Sequence, residues 1–447
     1  MQTVSTSFKQ IIVIAIPLII GSLGHNVISL TDTIVLGRYG ERHETEFAAI
    51  GLMAPAYLLI TMIAMAISRG GQILIARRVG EERNRYVGRI VQNMLYFELA
   101  VASVILLSTI LLGKPLLASF INSDDLLNAC WDFLKYRIWG IYFTFIGACA
   151  IALYSGIGRT NIIIINAGVL AGVNVLLNYA LVFGMFGFPE MGIRGSALAS
   201  VIAEALGMIV FVGYLILDKK NEKYHIFAIP SVDYDLIKTQ FRLSTPIALQ
   251  SLFGMGSWLL FFSFIENYGT HQLAVSNAVR VIYLFLGVPS WGMGNATTTI
   301  ISQLIGKNKR EEVFLTLCKI SLLCLGLSSL VSMWLLICPS FILSITTTNA
   351  KIISSGASLL PLLFVILSFI SIGTIFYNGI VGTGAIGVSL SIQIIVVFAY
   401  TVYAYLVTEV LHRSLAVAWG AELVYFVLLL LLSAIYMRGN RWHKVSL

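Results

Sequence analysis

The stretch Tyr154-Ser155-Gly156-Ile157-Gly158-Arg159-Thr160 returns in worn form as Tyr377-Asn378-Gly379-Ile380-Val381-Gly382-Thr383. Two more pairs keep the same order. Pro17 and the apolar run that follows it to residue 40 match Pro246 and its run to residue 269. Ile75-Ala76-Arg77-Arg78-Val79-Gly80 matches Ile301-Ser302-Gln303-Leu304-Ile305-Gly306, and each is followed at once by a charged stretch. Three matches in one order make the second half of the chain a copy of the first. Duplicated helical membrane proteins commonly hold their cargo where the repeats meet, so the duplication predicts a cavity between two equivalent lobes.

Composition places both copies in a bilayer. Of 447 residues, 58% are hydrophobic and only 11% charged, with a mean hydropathy of +0.89. A soluble chain of this length could not hide so much apolar surface. Apolar stretches of about 20 residues recur throughout, the length that crosses a hydrocarbon core. Backbone polar groups there must bond within their own helix, and no strand-like alternation suggests a barrel. The net charge of +8 does not indicate nucleic acid, because the basic residues lie in short loops, as orientation bias requires. Cys130, Cys149, Cys318, Cys324 and Cys338 are odd in number and lack CxxC spacing. They read as packing residues, not as disulfides or metal ligands. The sequence contains no GxxxxGK[ST] loop, so a nucleotide-driven pump is not expected, and the chain does not read as an enzyme.

Twelve spans are expected, near 10–37, 47–76, 88–112, 127–156, 161–186, 194–217, 243–266, 272–304, 312–338, 352–380, 385–408 and 414–437. The polar interruption at 218–240 separates an N-terminal six-helix lobe, 1–217, from a C-terminal six-helix lobe, 241–447. The expected fold class is an all-α polytopic membrane protein with twelve transmembrane helices in two pseudo-symmetric six-helix lobes. Lys9, Arg77, Arg78, Arg83, Arg85, Arg89, Arg159, the linker lysines and Arg438, Arg441 and Lys444 collect on one side. Positive-inside bias puts both termini and the linker in the cytoplasm, with the chain in a cytoplasmic (inner) membrane. Six is an even number of spans, so the repeat is parallel. Pro17, Pro246 and Pro361 sit inside or at the start of spans, where a missing N–H bends a helix. The small-residue stretches 68–71 and 292–299 occupy corresponding places, as hinges or as sites of close helix packing.

Ionisable residues inside a span are costly and point to function. Asp32 lies late in the first span, with Asn26, Ser29 and Thr33 within helical reach. A carboxylate beside hydroxyl and amide oxygens suits Na⁺. It could instead take a proton, or pair with Arg38 at the helix end. Asn174 and Asn178, four apart, share a helix face; they either supply amide oxygens to the same ion or bond a neighbouring helix. Ser200 is a further candidate, or bonds its own backbone. Glu204 and Glu422 lie in corresponding segments. With Glu98, they read as second proton sites or as interhelical hydrogen-bond partners. Arg69 and Arg280 either face the cavity, attracting an anionic group, or snorkel to the surface.

Taken together, these residues resemble the MATE family (multidrug and toxic compound extrusion) over nearly the whole chain. The resemblance rests on Pro17 with Asp32-Thr33-Ile34-Val35-Leu36-Gly37-Arg38, on Gln72 with Arg77-Arg78-Val79-Gly80-Glu81, and on Gly156-Ile157-Gly158-Arg159-Thr160. It continues through Asn174 to Asn178, Gly192 to Ser200, and the second-half Pro246, Gly306 and Tyr377 to Gly382. It implies two six-helix lobes around a central cavity. The implied activity is export of drugs or small amphipathic metabolites in exchange for H⁺ or Na⁺, by alternating access. On that resemblance Asp32 carries the coupling cation, as in the DinF-like branch, with Asn174, Asn178 and Ser200 as its partners. Asp32 is then a metal ligand only under Na⁺ coupling, and Pro17 bends the first helix. Asn178 and Ser200 stand where many members carry aspartate and threonine, which leaves one acid in the site. The second-lobe acids of the NorM-like branch are missing from 250–258 and 371–377. Counted from the two prolines, Asp32 falls opposite Phe261, so the ion chemistry is expected in the first lobe alone. The alternative reading is a lipid-linked precursor flippase of the same superfamily, with Arg69 and Arg280 receiving a pyrophosphate group. No cofactor beyond the coupling ion is implied. The implied partners are a small-molecule substrate and the lipid bilayer, with the chain acting as a monomer and without nucleic acid.

Overall fold

Helices make up the architecture of the computed structural model, which describes residues 7–39, 44–228 and 232–445; the side chains of residues 25–27, 29, 30, 33 and 37 also lie outside the description. The first helix is Phe8–Tyr39, with an apolar segment at Phe8–Gly24 among its described residues. Eleven described helices after it are long and apolar enough to cross a membrane. The second to sixth spans are Glu44–Gly80, Asn84–Ala118, Asp124–Gly156, Asn161–Val182 and Gly192–Leu217. The seventh to twelfth are Tyr234–Glu266, Thr270–Gly306, Glu312–Ile337, Leu360–Thr383, Ile386–Val410 and Leu415–Arg438.

Two boundaries differ from the expectation, each for a local reason. The seventh helix starts at Tyr234, inside the stretch 218–240 read as linker. The Asp233 carboxylate accepts the N–H groups of Asp235 and Leu236, both at 3.2 Å, and so satisfies donors that a helix start leaves open. The expected tenth span, 352–380, is broken into Ala350–Ala357 and Leu360–Thr383. Pro361 lies in the first turn of the second piece. There its missing N–H costs nothing.

The duplication is visible in the packing. In the first half the second span packs on the third and fourth, the fourth on the third and sixth, and the fifth on the sixth. In the second half the eighth packs on the ninth and tenth, the tenth on the ninth and twelfth, and the eleventh on the twelfth. The compact units, however, are not the lobes 1–217 and 241–447 read from the sequence. One unit is Ile20–Thr245; the other joins Pro246–Leu447 to the chain up to Ile19. The first and seventh helices each contribute to both units, and each divides at or beside its proline, Pro17 or Pro246.

Small residues explain how these segments are held. In the first unit a Cβ on Gly70 would lie 3.3 Å from the Gln240 carbonyl oxygen and would meet the Ser244 hydroxyl. Ser244 Oγ donates to the Ile67 carbonyl at 3.1 Å. In the second unit a Cβ on Gly292 would fall 2.6–2.8 Å from Cγ1, Cα and N of Ile19. The stretches 68–71 and 292–299 are uninterrupted helix, and at Gly70 and Gly292 the small residue permits close packing.

Candidate cation-coupling site

Asp32 is met by three side chains from two other helices. Asn178 Nδ2 donates to Asp32 Oδ1 at 2.8 Å, and Asn174 Nδ2 donates to the same oxygen at 3.5 Å. Ser200 Oγ donates to Asp32 Oδ2 at 3.2 Å and accepts from Asn174 Nδ2 at 3.0 Å. The i, i+4 spacing puts both asparagines on one face of the fifth helix. The sixth helix brings Ser200 beside them, because Gly195 allows close approach: a Cβ there would lie 2.6 Å from the Leu181 carbonyl oxygen. Asn174, Asn178 and Ser200 are buried. The side chains of Asn26, Ser29 and Thr33 lie outside the described residues. Arg38 does not close on Asp32; its Nη1 donates to the Tyr179 hydroxyl at 3.4 Å.

The donors around Asp32 set what each candidate ion would require of the site. Asp32 faces N–H and O–H groups, while Asn174 Oδ1 and Asn178 Oδ1 are buried without a hydrogen-bond partner. A sodium ion needs oxygen ligands, so both amides would have to turn over to receive it. A proton on Asp32 needs one acceptor, which either amide oxygen can supply once that one amide turns over. Among the described residues, no group of three or more His, Cys, Asp or Glu side chains is arranged to hold a metal ion.

A second network lies in the same unit and contains a residue that the sequence reading missed. Arg137 forms two parallel hydrogen bonds to Glu204, Nη1 to Oε2 at 2.7 Å and Nη2 to Oε1 at 2.6 Å. Its guanidinium carbon stands 3.8 Å over the Tyr57 ring, and the Tyr57 hydroxyl lies 3.4 Å from Thr144 Oγ1. The fourth span is broken at Arg137 by the 3-10 turn Ile138–Gly140. Gly140 is small for a reason: a Cβ there would lie 2.6 Å from both Arg137 Nη1 and Glu204 Oε2. Asp32 lies within the electrostatic reach of Arg137. The available signal was an arginine inside an expected span.

The remaining candidates fall elsewhere. Glu98 is fully buried and accepts from the Ser68 hydroxyl, while its Oε2 has no partner. Arg280 stacks over Phe262, its guanidinium carbon 5.0 Å from the ring centre. Arg69 is partly buried and interacts with its neighbours. Glu422, in the second unit, accepts hydrogen bonds from Trp258, Tyr283 and Tyr400. The second half therefore does contain a buried acid with polar partners, supplied by its twelfth span and not by 250–258 or 371–377. Phe261, opposite Asp32 in the sequence count, packs in the same aromatic cluster, against Tyr400 and Trp419.

The family profile described as MatE matches residues 17–180 and 246–406. The chain belongs to the MatE family. It is, accordingly, a multi-pass membrane transporter, and the two matched segments are the two copies of the repeat. Among relatives of this MatE chain, the probable multidrug resistance protein NorM of Thermotoga maritima is 23% identical over 447 residues, spanning 98% of this chain and 93% of that protein. The probable multidrug resistance protein YoeA of Bacillus subtilis is 22% identical over 67% of this chain and 64% of its own length. An outward-facing multidrug resistance MATE transporter of the MOP superfamily shares the fold with a TM-score of 0.88, at 19% identity, covering 98% of this chain and 97% of that one. A MOP superfamily transporter from Pyrococcus furiosus superposes with a TM-score of 0.85, at 20% identity, over 96% of this chain and 95% of its own.

Proposed function

We propose that this MatE chain is a proton-coupled antiporter that exports drugs or small amphipathic metabolites, with Asp32 as the group that carries the coupling proton. Relatives named as probable multidrug resistance proteins support the substrate class. The observation that carries the coupling assignment is the convergence of Asn174, Asn178 and Ser200 on one intramembrane carboxylate. Ionised, Asp32 accepts from all three. Protonated, it must donate, and the partnerless amide oxygens of Asn174 and Asn178 are the acceptors at hand once an amide turns. The donor set thus serves both forms of the acid. Asp32, Arg137 and Glu204 together carry one net negative charge when Asp32 is ionised and none when it is protonated. Loading therefore neutralises the site, and so lowers the cost of closing it off from water inside the membrane. The single acid near the asparagine pair supports a DinF-like reading of the chain.

In this cycle the chain exchanges inward- and outward-facing states, and Pro17, where the missing N–H lets the first helix bend, lies about 22 Å along that helix from Asp32. The transporter works as a monomer in the cytoplasmic membrane, with both termini in the cytoplasm. The test is efflux from proteoliposomes under a proton or a sodium gradient, imposed separately. A proton gradient should drive efflux, a sodium gradient should not, and Asp32→Asn should reduce proton-driven efflux to the level of empty liposomes. Normal export by that variant would remove Asp32 from the mechanism; efflux driven by sodium alone would replace the proton as coupling ion.

A further inference from the structure

The second unit holds an acid to which the coupling scheme gives no task. Glu422 is 3% exposed, and its oxygens face donors from three other helices. Trp258 Nε1 of the seventh helix and the Tyr400 hydroxyl of the eleventh each donate to Oε1 at 3.0 Å. The Tyr283 hydroxyl of the eighth donates to Oε2 at 3.1 Å. All three donors are neutral, and among the described residues no Lys, Arg or His forms an ion pair with Glu422.

The other charged or titratable groups nearby are engaged elsewhere. On the twelfth helix itself the Tyr425 hydroxyl accepts from Gln393 Nε2 at 2.8 Å. Arg280 of the eighth helix lies over Phe262. Tyr377 is the only titratable residue of the tenth helix, and it donates to the Ser389 carbonyl at 3.3 Å. Glu409, at the end of the eleventh, accepts from Asn267 at 2.8 Å. Arg438 and the basic residues beyond it begin about 24 Å along the twelfth helix from Glu422.

We propose that Glu422 is a second proton-binding site, loaded and unloaded independently of Asp32. The partners assign the proton to one oxygen. An indole N–H can only donate, so Trp258 keeps Oε1 an acceptor in both states. Oε2 has one partner, a phenol hydroxyl, which can either donate or accept. Loading forms an Oε2–H bond with a proton taken from water, and the Tyr283 hydroxyl turns from donor to acceptor. Unloading returns that proton to water and turns the hydroxyl back. In each form both Glu422 oxygens keep a hydrogen-bond partner, as a group that changes charge inside a membrane requires. Phe261 and Trp419, both buried, close the packing around it, whereas Trp258 is partly exposed and leaves one side of the cluster near the surface.

The proposal rests on the antiporter reading only in supposing that protons are exchanged, so it is tested on the full chain without substrate or gradient. Infrared difference spectra across a pH step report the C=O band of a protonated carboxylic acid. The spectrum of Asp32→Asn should contain a titrating band that is lost when Glu422→Gln is added, while the bands of Glu98 and the exposed acids remain. The double variant should also take up one proton fewer per molecule on acidification. Tyr283→Phe keeps the acid and its charge but deletes the acceptor; its band should move to a weaker-hydrogen-bond position, with a shifted midpoint. An unchanged spectrum in the double variant, or a wild-type band and midpoint in Tyr283→Phe, overturns the proposal. Should the glutamine variant fail to fold, the phenylalanine variant decides alone. Loss of the Asp32 role in the transport assay would leave these spectra unaffected, so the two readings fail separately.

Discussion

Arg137 is held by Glu204 at two points and covered by the Tyr57 ring. Breaking a buried pair from one side costs about 3–5 kcal/mol, whereas replacing both partners with apolar groups of similar volume is often neutral. Arg137→Met should therefore lower thermal stability in detergent sharply, and Arg137→Met with Glu204→Leu should recover most of the loss. Equal loss in the single and double variants would show that the pair is not coupled. The Asp32 cluster predicts a smaller ordering. Asn178→Leu removes the shortest hydrogen bond to the carboxylate, worth about 1.5–3 kcal/mol for a charged acceptor, and should cost more stability than Ser200→Ala, whose bond is longer at 3.2 Å. Thermal melts of both variants at neutral pH check that order. The acids Asp32, Glu204 and Glu422 were legible in the sequence because charge stands out in apolar runs. Their partners were not. Glu204 finds Arg137 67 positions away, and Glu422 finds Trp258 164 positions away. No periodicity in one helix reports which face another helix presents to it.

Helix ends and crossings set the next scale. Arg159, from the repeated motif, fastens the end of the sixth helix: it bonds Asp218, the Tyr214 hydroxyl at 3.1 Å and Asn221 Oδ1 at 2.9 Å. Burial raises the proton affinity of Asp218, but the bonds from Arg159, the Lys220 N–H and Tyr214 outweigh it and hold the carboxyl below its usual range. A depressed acid contributes stability above its unfolded pKa, about 3.9, and loses it as pH falls through the folded value. Wild type should thus be more stable than Asp218→Asn at neutral pH, and the gap should close as the pH is taken below about 4. A gap that persists under strongly acidic conditions would refute the linkage. At the crossing of the first and eighth helices, Gly292→Ala places a methyl group against Ile19, and overpacking of this kind costs about 1–3 kcal/mol. Gly256→Ala meets open space and should leave the melting temperature unchanged or slightly raised, since alanine is the better helix former. The spans themselves were readable, because length and hydropathy are local properties. The early start of the seventh helix was hidden in a polar stretch, where the Asp233 cap outweighed the appearance of a linker.

Across the whole molecule, the repeat predicted two equivalent halves, and the packing of one half is reproduced in the other. The compact units do not coincide with the two halves, however. Each compact unit contains a segment from the opposite half: the chain up to Ile19 belongs with Pro246–Leu447, and the start of the seventh helix, up to Thr245, belongs with Ile20–Thr245. Sequence repeats record ancestry and order, but not which segments pack together, so this exchange was not legible. Its consequence is specific. Cutting the chain in the linker, into fragments 1–228 and 229–447, leaves each unit without the segment that fills it. The Gly70 surface loses Gln240 and Ser244, and the Gly292 surface loses Ile19. Small residues facing an absent helix leave uncovered backbone and open grooves, which in a bilayer fill poorly with lipid. Each fragment expressed alone should therefore aggregate or be degraded, whereas the two expressed together should form one monodisperse species at the size of the intact chain. Fluorescence-detected size exclusion distinguishes the outcomes. A stable, monodisperse first fragment on its own would mean that residues 234–245 are not needed to complete that unit.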